Sequence, residues 1–134
     1  MNKIFSIAVM VMMFVGTSWA NEAEKHGVHF VSPLNNAVYQ GDIHVVMAVD
    51  GMRVQKAGEL QKESGHFHII VDGKFVPKGE AVMKDARHIH FGKGQTETTL
   101  KLSAGEHTLT LQFADGHHIS YGKAWSQTIH VQVK

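Results

Sequence analysis

Apolar and polar residues alternate over short stretches of the chain, and helical period is almost absent. Val28-His29-Phe30-Val31 leads into Ser32-Pro33; Ile43, Val45, Met47 and Val49 alternate ahead of Asp50-Gly51; Phe67, Ile69 and Val71 alternate ahead of Asp72-Gly73. Thr99 to Leu102, then Leu109, Leu111 and Phe113, then Ile129, Val131 and Val133 continue the pattern. A period of two puts every second side chain on one face, which is the mark of a strand with one buried side. Turn pairs separate the stretches: Asn35-Asn36, Gln40-Gly41, Lys78-Gly79, Ala104-Gly105 and Asp115-Gly116 stand beside the two Asp-Gly pairs already named. Seven or so short strands at this spacing predict an all-β fold, an immunoglobulin-like antiparallel β-sandwich. The stretch from Val54 to Ser64, carrying Lys56, Glu59, Lys62 and Glu63, breaks the alternation and predicts a long loop or one helical turn.

The first twenty residues follow a different rule. Lys3 precedes an apolar run from Ile4 to Val15, and Gly16-Thr17-Ser18-Trp19-Ala20 follows, with Ser18 and Ala20 where a signal peptidase reads small side chains. Residues 1–20 are expected to be a secretory signal peptide, because the apolar run is too short for a membrane span. A flexible lead-in is expected over 21–27 and a single β-sandwich domain over 28–134. The expected setting is the periplasm, with a soluble mature protein and no integral membrane segment after cleavage.

Composition narrows the chemistry. The chain has 134 residues, with 13 Lys+Arg against 12 Asp+Glu, so no basic excess exists to hold a phosphate backbone and no nucleic-acid partner is expected. With no cysteine there is no disulfide, no thiolate metal site and no cysteine nucleophile. Any metal must bind through nitrogen and oxygen. Eleven histidines are present, roughly three to four times ordinary usage.

Two histidine pairs share one form. His66-Phe67-His68 opens GHFHIIVDG, and His88-Ile89-His90 opens HIHFGKGQ. Side chains two apart on a strand share a face at a spacing of roughly 6.5 to 7 Å, so both imidazoles of a pair can lean towards one point. If the two strands are neighbours, His66, His68, His88 and His90 can converge on one ion at roughly 2.0 to 2.1 Å per nitrogen. Such a donor set suits copper, zinc or nickel rather than calcium or magnesium. The competing reading of each pair is the solvated face that strands normally show.

The remaining histidines divide by position. His117 and His118 follow the Asp115-Gly116 turn; adjacent residues on an extended chain diverge, so one of them at most joins a site as an auxiliary ligand, His117 being preferred. His107 has the parity of Leu109 and Leu111, which predicts a structural hydrogen bond at an end of the sandwich. His29, His44 and His130 are expected on solvated faces, and His26 falls in the lead-in. Asp72 and Asp115 are candidates to orient imidazoles from behind, since metal-bound histidine commonly donates its other N–H to a carboxylate; an Asp-Gly turn equally needs no such role. Met52 and Met83 offer soft sulfur, whereas Met47 has core parity. Gly92-Lys93-Gly94-Gln95-Thr96 lacks the strand and helix context of a phosphate loop and is expected to be a plain turn.

GHFHIIVDG, HIHFGKGQTET and GEHTLTLQFADGHH, in this order over most of the chain after residue 20, resemble an exported bacterial family known as domain of unknown function 4399. Its members carry a GHHHLLID-like strand, a HIHFGKGQTET-like segment and a GxHTLxLxxAD segment followed by further histidines and prolines. The resemblance implies an immunoglobulin-like sandwich and an export setting, and leaves activity open. Its pattern falls on His66, His68, His88, His90, Gly92, Lys93, Gln95, Thr96, His107 and Asp115. Lys93 and Gln95, with Asp72, Asp115 and His107, are therefore the candidates to support a site from behind the ligands. The chain departs from the pattern at Phe67, where the family has a middle histidine, and at His118-Ile119-Ser120-Tyr121, where a further histidine and prolines are usual.

The leading expectation is a non-enzymatic carrier or buffer of copper or zinc, with the metal ion as its principal partner and another periplasmic protein as a second class of partner. Two alternatives stand beside it: a structural or adhesive β-sandwich whose histidines serve protein contacts, and a redox metalloenzyme, which would need an open coordination position.

Overall fold

A computed structural model describes residues 26–134. The expected signal peptide, 1–20, and residues 21–25 of the expected lead-in lie outside the described residues. The described strands are β1 (Gly27–Ser32), β2 (Ala37–Tyr39), β3 (Ile43–Asp50), β4 (Arg53–Val54), β5 (Ser64–Val71), β6 (His88–His90), β7 (Glu97–Leu100), β8 (Gly105–Ala114) and β9 (Ser126–Val133), with a 3-10 turn at Lys123–Trp125. Gly27, in the expected lead-in, already pairs with Asp50 in β1. No helix forms between Val54 and Ser64; the segment is a loop of turns.

The strands make two sheets in a sandwich-like arrangement. One has the order β1-β3-β7, and the other the order β2-β9-β8-β5-β4, with β6 also on β5. Most pairs are antiparallel, while β2 with β9 and β4 with β5 are parallel. β2 and β4, of three and two residues, raise the strand number among the described residues to nine. Stretches so short carry no readable alternation, which is why the sequence predicts about seven.

Alternation then decides the core. Phe30, Ile43, Val45 and Met47 from the smaller sheet meet Phe67, Ile69, Leu109, Leu111, Phe113, Ile129 and Val131 from the larger one, all buried. Each such side chain contributes about 1.5–3 kcal/mol by leaving water. Packing holds the two sheets together with no disulfide between them.

One strand departs from the half-buried pattern. Every residue of β5, from Ser64 to Val71, is buried. Phe67, Ile69 and Val71 face the core between the sheets, so His66, His68 and Ile70 must face the other side of the larger sheet. The connection from β5 to β6 covers that side. Thr110 Oγ1 donates to Gly73 O (3.3 Å), Val76 N donates to Gln112 Oε1 (2.9 Å), and Ser120 Oγ donates to Val76 O (2.7 Å). Val82 N donates to His118 O (2.8 Å), fastening the connection to the loop that follows β8. The two histidines of β5 are thereby roofed rather than solvated.

Candidate metal centre

Within the buried strand, His66 is 0 % and His68 1 % exposed. A polar face turned to water is excluded for this pair. β6 lies antiparallel to β5 with His90 opposite His68 and His88 opposite Ile70. On the other edge of β5, Ala114 of β8 stands opposite His66 and Gln112 opposite His68.

Four rings converge. His66 Nε2 lies 3.0 Å from His68 Nε2, 3.2 Å from His90 Nε2 and 3.1 Å from His118 Nδ1. One nitrogen from each of His66, His68, His90 and His118 falls within 4.8 Å of all the others. The rings of His90 and His118 are 4.6 Å apart at their centroids and close to perpendicular, so they approach edge to face.

The structure brings together His66, His68 and His90 of the four ligands expected from the two pairs, and joins His118 to them. It does not bring in His88. Although His88 shares a face with His90, it sits one strand step further along, roughly 7 Å away at the backbone, beside the apolar Ile70. Its Nδ1 is held 2.8 Å from Asp85 Oδ1, which also accepts from the backbone N–H of Arg87 and of His88 itself.

Of the two auxiliary candidates, the structure places His118 in the group and leaves His117 exposed. Turn chemistry makes the choice. Asp115 Oδ1 accepts from His117 N (2.8 Å) and Ile119 N (3.0 Å), while His118 N donates to Asp115 O (2.9 Å). His118 is left at φ 65, the left-handed region open to few residues with a side chain, and this turns its ring back over β5. Asp115 acts on the site by fixing that turn.

Other candidates lie elsewhere. Asp72 Oδ2 is 2.8 Å from His107 Nδ1, and Asp72 Oδ1 accepts from Thr108 N (2.9 Å); His107 Nε2 donates to Ser103 O (2.8 Å). This pair ties the turn after β5 to the start of β8, as a structural bond. Gln95 Oε1 accepts from Lys93 N (2.9 Å) within the exposed turn after β6. Met52 packs against the core and Met83 is 64 % exposed. His29 pairs with Asp50 and His44 with Glu97 on the smaller sheet.

Electrostatics keeps His66, His68 and His90 uncharged. Burial, then the neighbouring His90 and His118, lowers the His66 pKa to about 4, against a small opposing pull from Asp115. Burial, then the other three rings and His88, lowers His68 to about 2. Burial, His118 and Lys84 lower His90 as well. At neutral pH these rings are neutral, the form that binds metal. Nδ1 of His66 and of His68 are buried with no hydrogen-bond partner among the described residues.

A family profile described as a domain of unknown function, DUF4399, matches residues 45–134. The chain belongs to this family. No significant match to a curated protein or to a solved structure accompanies it. The DUF4399 match takes in β5, β6 and the turn after β8, so all four clustered histidines fall inside it. The sequence marks His66, His68 and His90 by motif together with His88, and offers His118 only as second choice to His117. Val82 and Lys84, which border the cluster, carry no sequence signal.

Proposed function

We propose that this protein binds a copper or zinc ion through His66, His68, His90 and His118, and that it serves as a carrier or buffer rather than as an enzyme. The observation that supports the reading is the crowding of imidazole nitrogens round His66 Nε2, three of them within 3.2 Å. A neutral imidazole nitrogen has either one N–H or one lone pair, so it forms one good hydrogen bond. At most one of the three contacts is then a good hydrogen bond, whichever tautomers the rings adopt. An ion resolves this directly. Four nitrogens at about 2.05 Å from a tetrahedral centre stand about 3.4 Å apart, a few tenths of an ångström beyond the three separations measured from His66 Nε2. The all-nitrogen set also fits copper and zinc and disfavours calcium and magnesium.

The buried setting favours an ion over the alternative of protein contacts, because rings that are 0 % and 1 % exposed cannot meet a partner surface. A role outside the cytoplasm, as the N-terminal segment leads one to expect, belongs to the same proposal. Equilibrium dialysis of metal-stripped protein at neutral pH tests it. One equivalent of Cu(II) or Zn(II) is expected to be retained by the native chain and lost from a His66→Ala/His90→Ala double variant that still folds by circular dichroism. Equal retention by both proteins, or none by either, overturns it.

A further inference from the structure

The four imidazoles are not enclosed alike. His66 lies at the back of the group, whereas His68, His90 and His118 line a cavity of about 120 Å³ whose other walls are Val82 and Lys84. That is room for about four waters at roughly 30 Å³ each, or for a small polyatomic ion. The wall facing the rings is chemically divided. Val82 is buried and apolar, and Lys84 brings an ammonium, a compact point charge on a flexible stem. Lys84 is close enough for its charge to act on His90. No carboxylate lines the cavity among the described residues, and Asp85, the neighbour of Lys84 in the chain, is engaged by His88.

Resting on the metal reading above, we infer that this cavity admits a small monovalent anion, which completes the coordination of the bound ion and is held by Lys84. The reasons are geometric and electrostatic. Three ligating rings edge the cavity, so a group inside it reaches the point on which their nitrogens converge. A divalent ion held by four neutral imidazoles keeps its full charge of two, and an ammonium beside it adds a third positive charge in surroundings partly shielded from water. An anion is the species that such a pocket attracts. Cu(II) and Zn(II) both extend to five ligands. An exchangeable fifth ligand also gives a carrier a route of release, because an incoming donor can enter before an imidazole leaves.

Azide titration of the Cu(II)-loaded protein tests the inference, with the azide-to-copper charge-transfer absorption as the readout and copper retention checked by ultrafiltration. A saturable new band with copper still bound is expected. Lys84→Met should raise the half-saturating azide concentration at least tenfold without loss of copper, and Val82→Trp, which fills the cavity, should abolish the band. A fully loaded protein whose spectrum azide leaves unchanged overturns the anion site and leaves metal binding standing, as does copper carried into the filtrate or an unaltered response in both variants. A protein that takes up no copper overturns the anion site, and one that takes up neither copper nor zinc overturns both readings.

Discussion

His118 Nδ1 stands 3.1 Å from His66 Nε2 although 52 positions separate them in the chain. One belongs to a buried strand and the other to a turn beyond the next long strand. Pairing of β5 with β8 in the register that sets His66 against Ala114 brings the two within reach. Distance in sequence therefore matters less to this site than strand register.

That relationship separates His118 from the other candidates. His118→Ala should weaken Cu(II) or Zn(II) binding by at least tenfold, about 1.4 kcal/mol, whereas His88→Ala and His117→Ala should each leave it within about twofold. Competition against a chelator of known affinity measures all three. A larger loss from His88→Ala than from His118→Ala contradicts the arrangement.

Asp115 supports His118 without touching an ion. Asp115→Ala removes the acceptor for two backbone N–H groups and should cost about 1–3 kcal/mol of stability. It should also lower metal affinity, since His118 loses the turn that holds it at φ 65. Urea unfolding gives the first quantity and chelator competition the second. Asp115→Asn keeps an acceptor oxygen and should recover most of both.

Gly92 lies against the His90 ring. A Cβ at position 92 would come 2.2 Å from Cε1 and 2.6 Å from Nε2 of His90, so the ring must swing away to admit it. Gly92→Ala is expected to lower metal affinity at least tenfold while changing the unfolding free energy by less than about 1 kcal/mol, the ordinary range for a change absorbed by one side chain. Parallel loss of folding and binding would mean that the loop, rather than the ring, had moved.

Stability and pH should respond with opposite sign at two places. His66 and His68 are held at about 4 and about 2 in the fold, below the value near 6.5 of an unfolded chain. Between these limits the unfolded state binds more protons, so metal-free stability should fall as pH drops from about 6.5 towards 4. His107 runs the other way. Its pKa is raised by the hydrogen bond to Asp72 and then by Ser103, so its contribution is full below about 6.5 and is lost as pH rises through its native value. In urea titrations, His66→Ala should flatten the acid limb, and His107→Ala should cost more stability at about pH 6 than at about pH 8.5.

Metal binding should resist mild acid for the same reason. Four exposed imidazoles of pKa near 6.5 would together lose roughly 10,000-fold in affinity at about pH 5.5. Here burial has already removed the protons from most of the group, and a loss no greater than about 100-fold is expected when dialysis at about pH 5.5 is compared with dialysis at about pH 7.

The strands with full alternation, the composition of the core and three of the clustered histidines were legible from residue order alone, because period-two patterning and His-x-His spacing are local properties that survive without a fold. Val28, Ile43, Phe67 and Leu109 could be assigned to the interior from their neighbours alone. The choice between a solvated and a buried His66-His68 face could not, since the same alternation serves both; it depends on the connection that carries Val76 and Val82 across the outer side of β5. The exclusion of His88 and the entry of His118 likewise came from tertiary structure. A register of one strand step puts His88 beside Ile70, and a turn held by Asp115 aims His118 at His66, and neither register nor the direction of a left-handed residue is written in spacing.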